Sequence, residues 1–200
     1  MTAIVIPSRY GSSRLPGKPL AEINGHSLLF RVWSIAKAVP GVSEVLVATD
    51  DNRIFDHVNA FGGNAVMTNP DCQNGSERVL DAIDNAKLDI DTVVNLQGDA
   101  PLTPPWVLEA IVNKLQSDST IKIATPAVRL SRSLYEKVLK HRTEGSTTGT
   151  LVTFSQSMSA LYFSRYPIPF LREDDPHAAP YVHKHLGIYG YQVSTLREYV

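Results

Sequence analysis

The feature that most limits what this chain can fold into is the regular exchange of two hydrophobic periods over its first two thirds. Short apolar runs alternate with longer stretches whose apolar residues recur every three or four positions. Ala3–Ile6 is followed by Leu28–Ala38, where Leu28, Leu29, Val32, Ile35 and Ala36 share one helical face. Val45–Ala48 leads to a helix near Ile54–Phe61, and Ala65–Met67 to one from about Ser76 to Ala86. Thr92–Leu96 then precedes Pro104 and Pro105, which suit the first turn of a helix over Trp106–Leu115, and Lys122–Ala127 returns as a strand. This β-α-β-α order predicts an α/β fold with a mostly parallel sheet, right-handed crossovers and helices on both faces.

Beyond about residue 128 the pattern changes. His141–Gly149 is polar and contains glycine, and it reads as a mobile loop. Leu151–Phe154 and Ala160–Phe163 resemble two strands of a hairpin, and Pro167, Pro169, Pro176 and Pro180 mark an irregular connection. His185–Tyr191 reads as one further strand before a helix that starts near Ser194. The chain shows no internal repeat and no linker long enough to separate independent domains.

In open sheets of this kind, ligands sit beyond the carboxyl ends of the strands, and the polar motifs fall there. The loop Pro7-Ser-Arg-Tyr-Gly-Ser-Ser-Arg-Leu-Pro-Gly-Lys-Pro19 follows the first strand and carries Arg9, Arg14 and Lys18 among glycine and serine. Such a loop offers cations and backbone N–H groups to a polyphosphate. It is not a Walker A loop, because Pro19 stands where Ser or Thr would follow the lysine. Thr49-Asp50-Asp51 follows the second strand and reads as a helix start. Gln97-Gly98-Asp99 follows the run that ends at Leu96. Asp99 supplies hard carboxylate oxygen of the kind that suits Mg²⁺ with substrate phosphates, and a helix N-terminal acidic residue is the plainer alternative. Gln97 suits a base edge or the turn itself. Asn74 or Ser76 suits an N-cap, and Arg78 an ion pair. Arg14 suits a phosphate or a structural salt bridge equally.

Composition narrows the function. A net charge of −1 gives no basic excess for nucleic acid or an anionic membrane, and no run approaches a membrane span. The single cysteine, Cys72, excludes an intrachain disulfide and fits a reducing cytoplasm, and it reads as an incidental thiol. His183 and His185 lack a third ligand at a helpful spacing, so a transition-metal site is not expected.

Several motifs occur in order and carry a resemblance. They are Ile6-Pro7-Ser8-Arg9-Tyr10, Arg14-Leu15-Pro16-Gly17-Lys18-Pro19-Leu20, Val47-Ala48-Thr49-Asp50 and Asn95-Leu96-Gln97-Gly98-Asp99-Ala100-Pro101. Leu161-Tyr162-Phe163-Ser164-Arg165 and His185-Leu186-Gly187-Ile188-Tyr189-Gly190-Tyr191 complete the set. From residue 3 to residue 200 the chain resembles the 3-deoxy-manno-octulosonate (Kdo) cytidylyltransferase family, the CMP-Kdo synthetases of lipopolysaccharide synthesis.

The resemblance implies a Rossmann-like nucleotidyltransferase domain over residues 1–200. Its nucleotide-binding core would cover about 1–128, and a small β-rich lobe for sugar binding and dimerisation about 129–192. It implies Mg²⁺-dependent transfer of CMP from CTP to the anomeric hydroxyl of Kdo, releasing pyrophosphate, in a cytoplasmic homodimer. Arg9, Ser12 and Lys18 would hold the CTP phosphates. Gln73, Gly75, Ser76 and Gln97 would surround the cytidine. Asp99 would bind Mg²⁺, and Arg9, Lys18 and Asp99 together would carry catalysis. Arg165, His185 and Tyr189 would face the sugar acid, Arg165 pairing with its carboxylate.

The family pattern is broken in three places. Ala100 stands where Glu is usual, and Gly145–Thr153 lacks an N-x-x-x-V-K-like stretch. Members also usually extend further and carry a V-D-T-P-E-D-like motif with a second metal aspartate, so a chain ending at Val200 inside a helical pattern reads as a fragment. Two alternatives stay open: activation of 8-amino-Kdo or another sugar acid, and an inactive CTP-binding paralogue.

Overall fold

Period-two alternation in β1 (Thr2–Pro7) splits its apolar side chains between two cores: Ile4 and Ile6 enter one, Val5 the other. The neighbouring strands repeat the division. In β4 (Glu44–Thr49) Val45 and Val47 oppose Leu46 and Ala48, and in β6 (Thr92–Asn95) Val94 opposes Val93. A sheet buried on both faces needs helices on both, and the apolar stripes supply them. The first core takes Leu29, Val32 and Ala36 of α1 (Leu28–Lys37), Ile54 and Val58 of α2 (Asn52–Ala60) and Leu108, Ile111 and Leu115 of α4 (Pro105–Ser117). The second takes Val79, Ala82 and Ile83 of α3 (Gly75–Asn85) and Leu196 of α6 (Val193–Tyr199). Each fully buried side chain of this size contributes about 1.5–3 kcal/mol, so these two cores dominate the stability of the sheet.

This computed structural model describes residues 1–11, 15–146, 148–169 and 181–200. The chain divides into two compact units, Met1–Ala124 with Ile188–Val200, and Thr125–Gly187. In the first, β5 (Asn64–Met67), β4, β1, β6, β12 (Tyr189–Gln192) and β7 (Ile123–Ala124) form one six-stranded sheet in that order. The β5, β4, β1 and β6 strands run parallel, as the β-α alternation requires, while β12 is antiparallel to both β6 and β7. A small hairpin, β2 (Glu22–Ile23) and β3 (His26–Ser27), precedes α1. Its Asn24-Gly25 turn has φ values of 48° and 78°, the left-handed pair that a two-residue hairpin demands.

The second unit is a four-stranded antiparallel sheet, ordered β10 (Ala160–Ser164), β9 (Thr150–Phe154), β11 (His183–His185), β8 (Ala127–Arg129). The expected hairpin of β9 and β10 is present. Tyr135 and Val138 of α5 (Arg132–Thr143) pack on a small core of Leu130, Leu151 and Val182.

Three sequence expectations need correction. Lys122–Ala127 is not one strand: β7 belongs to the six-stranded sheet and β8 to the four-stranded one. Pro126 has no N–H for a ladder and biases the residue before it, so the run breaks there. His185–Tyr191 is likewise two strands in two sheets, broken at Gly187, whose φ of 72° no strand residue adopts. His141–Gly149 is not a loop throughout. His141 and Arg142 lie in the last turn of α5, which starts at the Ser131 cap, where the hydroxyl accepts from Leu134 N.

The turn after α5 is anchored by Arg142. Its buried guanidinium donates to three carbonyls: Nε to Arg165 (2.6 Å), Nη1 to Ser146 (2.7 Å) and Nη2 to Gly149 (2.7 Å). Replacing Arg142 with Leu removes three charge-assisted donors and strands their acceptors. A loss of about 2–4 kcal/mol in urea unfolding is expected for Arg142→Leu, against less than about 1 kcal/mol for the exposed Lys137→Leu.

Candidate active site

The site begins with register. Strands β1 and β6 pair in parallel, Thr2 with Thr92 through Val5 with Asn95, and Leu96 N continues the ladder to Val5 O at 3.0 Å. Pro7-Ser8-Arg9 and Gln97-Gly98-Asp99 therefore leave the sheet side by side. A Cβ on Gly98 would stand 2.5 Å from Ser8 Oγ and 3.1 Å from Pro7 O, so the two exits approach this closely only because residue 98 is glycine. They open into a cavity of about 450 Å³ that Arg9, Gly11, Lys18, Gln97 and Asp99 help to line.

Lys18 reaches this cavity by a chain of local contacts. Gly17 N donates to Tyr10 O (2.9 Å), and Gly17, at φ 70°, leaves room for the Tyr10 ring. The Arg53 guanidinium lies over that ring, 3.3 Å from its centroid. Asp51 caps α2 and grips Arg53 at 2.6 Å, and the Arg53 hydrogen bond holds the Asp51 carboxyl below the usual carboxylate range. Buried Pro19 then fixes a short 3-10 turn over Lys18–Leu20. As a result Lys18 Nζ donates to Asp99 Oδ2 at 2.6 Å. Both groups are partly exposed, so the pair is worth at most about 1 kcal/mol and opens easily for a ligand. Ser12 and Arg14 lie outside the described residues.

Four of the residues expected around a nucleotide, Arg9, Lys18, Gln97 and Asp99, thus share one cavity. The others flank it less directly. Gly75 starts α3, and a Cβ there would meet Gln97 Nε2, Asn95 Nδ2 and Pro7 Cγ, each at 3.4 Å. Asn74 is the N-cap, accepting from Ser76 N and Glu77 N, as its residue type predicts. Gln73 is exposed, with its side-chain amide on Asp71 O, and the Ser76 hydroxyl meets Tyr191 Oη at 3.1 Å. Asp50 does not cap a helix. It pairs at 2.8 Å with the buried Arg78, which also donates to Thr68 Oγ1.

One residue escaped the sequence reading as an individual. Asn95 is buried in β6, and its Oδ1 accepts from Gln97 Nε2 at 3.1 Å, which orients the Gln97 amide. The available signal was a polar residue inside an otherwise apolar strand run, a position that needs a partner.

The second unit gathers two of the residues expected to face a sugar acid. His185 pairs with Thr150 across β11 and β9, and Ser164 pairs with Leu151, so Arg165 falls on the next rung beside Thr150. Arg165 Nη1 donates to Thr150 Oγ1 (3.2 Å) and Gly149 O (3.3 Å), and the Phe163 ring stands edge-on to His185. Arg165 and His185 therefore occupy one row of the sheet. His185 is buried, its Nε2 is 2.6 Å from Thr125 Oγ1, and burial pushes its proton affinity down, so it is neutral at pH 7. Arg165 carries the fixed charge of the row. Tyr189 is in the first unit, on β12 opposite Asn95, and its phenol is pushed up by burial.

Partial burial also raises the Cys72 thiol, the opposite of an activated nucleophile. Among the described residues no group of three or more His, Cys, Asp and Glu side chains is placed to hold a metal by itself, and no helix is long and apolar enough to cross a membrane.

The depressed His185 gives a signed pH prediction. An unfolded histidine takes up a proton near its ordinary value of about 6.5, whereas the folded one resists, so stability falls as pH drops below that value until the folded group protonates. Thermal melts from pH 7.5 to 5 should show a steeper acid loss for the natural protein than for His185→Gln. Parallel curves would remove His185 from the acid response.

A family model described as "Cytidylyltransferase" matches residues 3–200. A 3-deoxy-manno-octulosonate cytidylyltransferase of Maricaulis maris is 52% identical over 192 residues, covering 96% of this chain and 73% of that protein. An 8-amino-3,8-dideoxy-manno-octulosonate cytidylyltransferase of Shewanella sediminis is 42% identical, covering 94% and 73%. Among solved structures, a CMP:2-keto-3-deoxy-manno-octonic acid synthetase complexed with CTP superposes with a TM-score of 0.87 at 38% identity, covering 99% of this chain and 76% of that one.

Proposed function

The chain belongs to the cytidylyltransferase family, in its 3-deoxy-manno-octulosonate branch, and from that premise we propose that it transfers CMP from CTP to the anomeric hydroxyl of Kdo, releasing pyrophosphate. The observation that carries the proposal is the cavity beyond β1 and β6, which Arg9 helps to line and in which Lys18 pairs with Asp99. Two cations and a carboxylate in one cavity are what a nucleoside triphosphate with its divalent ion requires. The 52% identity to a Kdo enzyme against 42% to an 8-amino-Kdo enzyme favours Kdo.

In this reading Arg9 and Lys18 bind the triphosphate, Arg9 as a fork and Lys18 as a point charge. Lys18 exchanges the Asp99 carboxylate for a phosphate oxygen when CTP arrives. Gln97, oriented by Asn95, offers its amide to the cytosine edge, and Gly75 starts α3 close beside that amide. Asp99 is the residue that would hold Mg²⁺. Its hard oxygen and partial exposure fit an ion that keeps waters and takes its other ligands from phosphates. When bound, that ion neutralises phosphate charge and polarises the sugar hydroxyl.

Arg165 is proposed to pair with the sugar carboxylate and the neutral His185 to offer a hydrogen bond, with Tyr189 assigned to the sugar from the family resemblance. The sugar oxygen forms the new bond to the α-phosphorus as the bond to pyrophosphate breaks, and the hydroxyl proton leaves to solvent. Positioning and charge neutralisation supply the rate, with no covalent enzyme intermediate. A cytoplasmic homodimer belongs to the same proposal, supported by the family alone.

The test is pyrophosphate release from CTP by the intact enzyme with Mg²⁺ and Kdo, 8-amino-Kdo or sialic acid in turn. Kdo is expected to give the highest kcat/KM, and a preference for 8-amino-Kdo would reassign the substrate. Asp99→Ala should lower the rate at least about 10²–10³-fold, and retained activity would remove Asp99 from catalysis.

A further inference from the structure

The two cations of the cavity are the chain neighbours of one backbone contact. Gly17 N donates to Tyr10 O at 2.9 Å, which closes the neck of the loop after β1. Arg9 stands immediately before this neck and Lys18 immediately after it. The Tyr10 ring seals the neck as its backbone does: a Cβ on Gly17 would meet Cε2, Cζ and Oη of the ring, each at 3.1 Å. Whatever fixes the Tyr10 ring therefore fixes the roots of Arg9 and Lys18 together.

Two contacts fix it. The ring packs against the first core, and the Arg53 guanidinium covers it, 3.3 Å from the centroid. Arg53 comes from the first turn of α2, in the neighbouring β-α unit, and is itself held as a fork. Its Nε donates to Asp51 Oδ1 at 2.9 Å and its Nη2 to Asp51 Oδ2 at 2.6 Å. Asp51 is locked to the helix start in turn, because Oδ1 also accepts from Arg53 N at 2.9 Å. An exposed ion pair of this kind adds little to stability on its own. What it does is preset a planar cation over one ring, and that ring belongs to the neck.

We propose that Arg53, oriented by Asp51, is a positioning residue for triphosphate binding, clamping the Tyr10 ring so that Arg9 and Lys18 are held for the nucleotide phosphates. This rests on the cytidylyltransferase reading above. Among the described residues Arg53 is not part of the cavity lining, so its effect passes through the Tyr10 ring. The clamp lets the second β-α unit preorganise a loop that belongs to the first.

The test is a double-mutant cycle on the intact enzyme, with CTP affinity read by calorimetry in the presence of Mg²⁺. Arg53→Leu should weaken CTP about 3–5-fold, the most that one exposed cation–π contact can return to the neck. The affinity for cytidine and the KM for the sugar acid should not change, and the melting temperature should fall by less than about 4 °C. In a Tyr10→Leu background, with no ring to cover, Arg53→Leu should weaken CTP by less than about 1.5-fold. Equal losses in both backgrounds would overturn the proposal, since Arg53 would then act on the nucleotide by charge alone. Unchanged CTP affinity in the single variant would overturn it too, and so would an equal loss for cytidine. Asp51→Asn gives a second reading that does not depend on how Tyr10→Leu folds, because it keeps the helix cap and loosens the fork. Positioning predicts a loss of about 2-fold in CTP affinity there, whereas a charge effect predicts a gain, since a negative charge is removed. A gain or no change would overturn the proposal. Failure of the natural protein to bind CTP would instead overturn the cytidylyltransferase reading, and with it this assignment.

Discussion

The in-register parallel pairing of β1 with β6 is the constraint on which the rest of this protein depends. Residues 90 apart in sequence stand beside each other along the two strands, so the loop with Arg9 and Lys18 emerges next to the turn with Asp99. The register is held by the two cores and not by the loops. A slip of one residue would turn Ile4 and Ile6 toward the α3 side and Val5 toward the α1 side, exchanging the packing on both faces. The apolar core therefore sets the geometry of the polar site.

Three arginines and one lysine show how exposure divides cations between structure and chemistry. Arg78, buried, is committed to Asp50 and Thr68 and ties α3 to the edge of the sheet. Arg142, also buried, is committed to three carbonyls and ties the end of α5 to the strands of its own sheet. Lys18 is partly exposed and its bond to Asp99 is weak enough to exchange. Arg165 is exposed, and among the described residues its side chain donates to the Thr150 hydroxyl and the Gly149 carbonyl. The first two cannot leave their partners without unfolding something, whereas the last two sit at exposed positions where their contacts exchange with water.

The parallel strands and the helices between them in the first unit were legible because two different periods mark them. A strand buried on both faces reads as a short apolar run, and a helix with one buried face reads as a stripe. Helix α5 was not legible, since its face on the small core rests on Tyr135 and Val138 in an otherwise polar segment. The breaks at Pro126 and Gly187 were visible as residues, but an apolar run does not state which sheet it joins. Arg9, Lys18 and Asp99 were legible from charge placed at strand ends. Asn95 was not, because it takes its meaning from its partner, the Gln97 amide.

The amino-acid sequence by itself determined the layered α/β order, the positions of most strands and helices, and which charged residues follow which strand. Those are consequences of local periodicity and of short-range turn chemistry. Only the tertiary structure decided that Lys18 meets Asp99, that Asn95 orients Gln97, and that Arg165 and His185 share a row. These are contacts across strand registers, and a register is chosen by side chains packing from both faces at once. The opening loop therefore shows its cations in its residues alone, while the place of Lys18 against a carboxylate had to wait for the sheet.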